Sequence, residues 1–137
     1  MIKKLILIAV SSMFIVSYPV MADWDFYDSS ADQSIDIYID SSRIKSSGDV
    51  VKVWALANYK VAQKYGSSQK FLSAVSLVEF QCAEEVTRDA HTTAYTEKMG
   101  GGAVIFSKTS RITRWDPILP SSIDEGIMYL VCGKDQK

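Results

Sequence analysis

The sequence predicts an exported α+β domain built on a mostly antiparallel sheet with one C-terminal helix. Three observations carry this. Side chains alternate with period two through the middle of the chain, a capped helical pattern appears only near the end, and Cys82 and Cys132 follow an N-terminal segment of secretory form.

The export signal comes first. Lys3 and Lys4 precede a charge-free apolar run from Leu5 to Tyr18, and Val20-Met21-Ala22 supplies modest residues at a cleavage point placed after Ala22. Pro19, Asp23 and Asp25 cut the run short of the ~20 residues a membrane span needs. Residues 1–22 are therefore read as a signal peptide and residues 23–137 as a single domain, with no membrane anchor in the mature chain. Loss of Lys3 and Lys4 moves the net charge from −1 to −3, which argues against nucleic acid as a partner.

The strands follow in order. Trp24–Tyr27 and Ser34–Ile39 open the sheet, the second with Ile35, Ile37 and Ile39 on one side. Val50–Tyr59 is apolar on both parities, as a central strand covered on both faces would be. Lys60–Lys70, with Gly66-Ser67-Ser68, reads as a polar connection. In Phe71–Cys82, Leu72, Ala74, Val78, Phe80 and Cys82 share one face, and Phe71, Val75, Leu77 and Glu79 the other. Val86–Thr96 is a threonine-rich strand, turned by Gly100-Gly101-Gly102 into Ala103–Phe106. Ser107–Pro120 reads as irregular, because Pro117 and Pro120 rule out a central strand.

The helix starts at Ser122. Ser122-Ile123-Asp124-Glu125 has the capping-box form, with Glu125 expected to reach back to the Ser122 amide. Ile123, Ile127, Leu130 and Val131 then fall on one face and Gly133 stops the helix. Gly126 weakens it by about 1 kcal/mol relative to alanine, so the helix depends on docking.

Two cysteines in an exported chain pair with each other, unless they form an intermolecular bridge or stay as reactive thiols. A Cys82–Cys132 bridge would close a loop of about 50 residues, worth about 4 kcal/mol, and would pin the helix across the Cys82 side of the sheet. Phe71, Val75 and Leu77 would then form an uncovered apolar face, expected to bury itself in a homodimer or against a partner.

Val51-Lys52-Val53-Trp54, Asn58-Tyr59, Phe71-Leu72-Ser73, Glu79-Phe80-Gln81-Cys82, Arg88, Tyr95, the glycine turn, Trp115 through Ser122 and Val131-Cys132 together resemble the surface-adhesin protein E family. The likeness runs from about Trp24 to Cys132. It implies an antiparallel sheet of about six strands, a C-terminal helix tethered to one face by the disulfide, and dimerisation through the sheet. It also implies binding of host matrix or serum proteins, as for the bacterial surface adhesin that gives the family its name. No cysteine stands at the cleavage point to take a lipid anchor, which favours a periplasmic or secreted chain over surface display.

No residue pattern points to catalysis, and the chain is expected not to be an enzyme. His91 is the only histidine, and the sequence places no serine or cysteine nucleophile beside it, although Asp89 and Thr93 are expected on its face. No metal or cofactor is expected, since one histidine and two distant cysteines cannot close a zinc site and the triple glycine lacks the residues of a phosphate loop. The candidate partner contacts are Tyr59, Lys60, Lys64, Tyr65 and Lys70, basic and aromatic residues in a predicted loop suited to an acidic protein surface. Lys108, Arg111 and Arg114 decorate the later connection. The alternative to a protein-binding domain is a periplasmic small-ligand-binding or accessory protein, using Trp24, Trp54 and Trp115 and the open sheet face as a pocket.

Overall fold

The computed structural model describes residues 22–111 and 113–133; the expected signal peptide lies outside them, Ala22 excepted. Eight strands form one antiparallel sheet: β1 (Asp25–Ser29), β2 (Ile35–Ile39), β3 (Lys45–Ser47), β4 (Val50–Tyr65), β5 (Gln69–Gln81), β6 (Val86–Tyr95), β7 (Val104–Thr109) and β8 (Asp116–Pro117). Six run in the order β1-β2-β4-β5-β6-β7, while β3 adds to the edge of β4 and β8 to that of β6. The expected count of about six thus falls short by the two shortest strands. Pro117 sits on an edge, where its missing N–H costs no ladder bond.

The helix α1 (Ile123–Cys132) lies on one face of the sheet. Ser122 caps it, its hydroxyl accepting from the Glu125 amide at 3.2 Å, and Gly133 ends it in the left-handed conformation at φ 67°. Glu125 reaches back one residue further than the box predicts, to the Ser121 amide. Beneath the helix, Ile39, Val53, Val78 and Phe80 meet Ile127 and Met128 in the buried core. Successive side chains of a strand point to opposite faces, so the alternate β5 residues Val78 and Phe80 reach this core together. The Cys82–Cys132 disulfide, with Cα atoms 5.8 Å apart, ties the end of β5 to the end of α1. Gly126 leaves room for Tyr27, since a Cβ there would collide with the Tyr27 hydroxyl.

Three sequence expectations are corrected. Residues 60–65 are not a connection but the second half of β4, which runs on with β5 as a two-stranded ribbon turned at residues 66–68. Ser107–Thr109 likewise belongs to β7. The glycine segment is also more than a hairpin turn. Residues 98–100 form a single 3-10 turn with Met99 in the left-handed region at φ 57°, and this turn folds back over the sheet face opposite the helix.

Candidate functional site

Three features lie away from α1. The first is the β4–β5 ribbon. Pairing of β2 with β4 ends at Ile35↔Tyr59, and pairing of β5 with β6 ends at Ser73↔Tyr95, so the ribbon extends beyond both neighbours as an arm. A register shift between Asn58 and Gln63 marks where it leaves the sheet. Lys60, Val61, Lys64 and Lys70 are exposed along it, Val61 at 74%. Its aromatic base is one face of the ribbon, running from Tyr59 to Tyr65 beside the turn. Phe71 meets Tyr59 edge-on at 5.6 Å and Phe106 of β7 at 5.7 Å, and Tyr65 lies 4.6 Å from Phe106. Lys108 Nζ stands 5.1 Å from both the Tyr65 and Phe106 rings, and burial pushes the Tyr59 phenol up. All five candidate partner residues therefore occupy one ribbon, on strands rather than in a loop.

The second is the sheet face opposite α1. Phe71, Val75 and Leu77 are each half-buried, but they do not form the bare patch expected. Phe71 is taken into the aromatic base. Val75 and Leu56 lie under Gly100 of the 3-10 turn, within 4 Å of where its Cβ would be, and Leu56 is fully buried. Buried polar groups hold this roof down. Asn58 Oδ1 accepts from the Met99 amide at 2.8 Å, while the Ser73 hydroxyl accepts from the Gly100 amide at 3.0 Å and donates to the Glu97 carbonyl at 2.5 Å. Beside the roof opens a cleft of about 590 Å3, lined by Trp24, Asp40, Arg43, Trp54, Tyr95 and Met99 among others.

The third is a polar row on the same face. A bulge pairs Leu77 with His91 but Val78 with Asp89, which turns Asp89 to the helix side instead of leaving it beside His91. There Asp89 faces Asp124 of α1, and partial desolvation of the still exposed carboxyl, reinforced by the Asp124 charge, pushes it up. On the open face, His91 meets Thr109 through Nδ1 at 2.9 Å, and Thr93 and Ser107 through Nε2 at 3.0 and 3.1 Å. Ser107 is the hydroxyl the sequence could not place, because only pairing of β6 with β7 brings it across. The group behind the imidazole is a threonine, not a carboxylate, so the arrangement lacks the third member of a hydrolytic triad. Further along, Glu79, 5% exposed, receives Arg88 Nε at 2.6 Å and Lys52 Nζ at 3.2 Å, and Arg88 stacks 4.2 Å over Trp115. Glu79, Arg88 and Trp115 all belong to the pattern that carries the family resemblance. No group of three or more metal-ligating side chains occurs among the described residues.

An eight-stranded antiparallel sheet with one disulfide-tethered helix on one face and a roofed open face on the other defines a two-layer α+β domain. The family model for surface-adhesin protein E matches residues 24–133, and the chain belongs to that family. Among solved structures it is similar to Haemophilus influenzae protein E, with a TM-score of 0.57 and 16% identity over 79% of this chain and 85% of that one. A second crystal form of the same protein gives 0.55 and 18%, over 71% and 80%. Protein E from a non-typeable strain gives 0.53 and 15%, over 81% and 84%. Among curated proteins no sequence matches significantly.

Proposed function

We propose that the chain is an exported, non-catalytic protein-binding domain whose β4–β5 arm meets an acidic surface of a host matrix or serum protein. Membership of the surface-adhesin protein E family supports the class. The arm supports the site, because it presents Lys60, Lys64, Lys70 and the exposed Val61 beyond the sheet on a base of packed rings. Lys64 and Lys70 pair across the ribbon on the face turned away from Tyr65 and Phe71, and exposed cations of this kind suit a partner rich in carboxylates, with contacts that speed association and weaken with salt. The aromatic base holds the lysines on a stiff ribbon, which lowers the entropy lost on binding.

The test is surface-plasmon binding of the purified protein to immobilised serum and basement-membrane extract. Saturable binding that weakens with added salt is expected. The Lys60→Glu, Lys64→Glu, Lys70→Glu variant should bind at least about tenfold more weakly with an unchanged melting temperature, because all three side chains are exposed. Equal binding by a folded triple variant would refute the arm as the site. Absence of binding by the native chain would refute the function.

A further inference from the structure

The cleft beside the 3-10 roof has a polar anchor that the arm's role does not use. Asp40, at the end of β2, has no exposed surface and caps the short turn Ser41–Arg43. Its Oδ1 accepts from the amide and hydroxyl of Ser42. Its Oδ2 has only Arg43 Nε, 3.2 Å away and not aligned as a hydrogen bond. Arg43 is thus held by charge at its inner nitrogen. Among the described residues neither of its terminal nitrogens meets a protein acceptor, and the side chain is 42% exposed at the cleft. A guanidinium pinned on one edge presents its remaining fork of N–H donors to a bidentate anion.

The rest of the cleft is mostly apolar and lined with rings. Trp24, Trp54 and Tyr95 line it, and Met99 stands at the roof. Its 590 Å3 falls within the ~300–1,000 Å3 typical of small-molecule sites and exceeds what a simple ion requires. A cationic ligand is disfavoured, since the Asp40 carboxylate is shut in behind Arg43 and already engaged at one oxygen. We propose that this cleft binds a small carboxylic acid with a flat, ring-sized apolar body. The carboxylate sits on the terminal nitrogens of Arg43 and the ring lies among Trp24, Trp54 and Tyr95, with Asp40 acting as the residue that positions Arg43.

The experiment follows the tryptophan emission and the binding heat of the purified protein on titration with N-acetyl-phenylalanine, which carries no indole of its own. Saturable binding is expected, with N-acetyl-phenylalaninamide at least tenfold weaker because it lacks the charge. Arg43→Gln should lose at least tenfold for the acid while leaving the amide unchanged. The lysine-arm variant should bind the acid as the native chain does, which separates this site from the proposed protein-binding surface. Gly-Gly-Phe distinguishes the source: affinity equal to that of the small acid assigns the C-termini of peptides, and a marked loss assigns free acids. Equal binding of acid and amide by the native protein, or no saturation in the millimolar range, overturns the proposal. So does native-like acid binding by a folded Arg43→Gln chain. If that variant does not fold, the acid and amide comparison on the unaltered chain decides alone.

Discussion

Glu79 sits almost out of reach of water on a strand where most neighbours are apolar, and burial by itself would raise its pKa. Hydrogen bonds and charge from Arg88 and Lys52 outweigh that and hold the carboxyl below its ordinary value of 4.5. A carboxylate depressed in this way adds stability that is present above the unfolded-state pKa and is lost as the pH falls through the folded one. Glu79→Gln should therefore lower stability by about 1–2 kcal/mol at pH 7, through the loss of charge-assisted hydrogen bonds. The gap should close on acidification below about pH 4. Urea denaturation of both proteins at pH 7 and pH 3 checks this. The Glu79, Arg88 and Trp115 residues were visible in the sequence as part of the family pattern. Their contact was not, because Arg88 reaches Glu79 only across the β5–β6 ladder.

At the scale of elements, the 3-10 roof at residues 98–100 decides what the open face looks like. Ser73 is fully buried and serves it twice, as donor to Glu97 and acceptor from Gly100. Ser73→Ala removes the side-chain partner of both backbone groups and should cost about 1–2 kcal/mol. Hydrogen exchange should show the Met99 and Gly100 amides losing protection while those of α1 keep theirs, since the roof opens locally before the core does. The long β4 strand shows why the arm escaped sequence reading. An arm beyond the sheet buries neither face against a core, so residues 60–65 carry no alternating apolar signal, and the shift between Asn58 and Gln63 breaks what parity remains. The helix was legible because capping and apolar spacing are local properties, and Ser122 and Gly133 act where the pattern puts them.

For the whole molecule, the Cys82–Cys132 bond joins residues 50 apart and locks the only α-helix among the described elements onto the sheet. With one face of the sheet served by ten helical residues, the constraint on the unfolded chain carries a large share of a small domain's stability. The Cys82→Ser, Cys132→Ser variant should lose about 2–5 kcal/mol, read as a lower denaturation midpoint. Its near-ultraviolet circular dichroism should weaken as Ile127 and Met128 lose their fixed packing against Val53 and Phe80.

The residues alone determined the α+β class, the helix with both its caps, the pairing-competent cysteines and the family pattern, because each rests on local chemistry or on spacing along one chain. Only the tertiary structure decided that residues 60–71 form an arm, that Asp89 and His91 part company, and that Arg43 faces Trp24, Trp54 and Tyr95 across a cleft. Those outcomes depend on bulges and strand register, where a shift of one residue exchanges the two faces of a strand and leaves little trace in the order of its side chains.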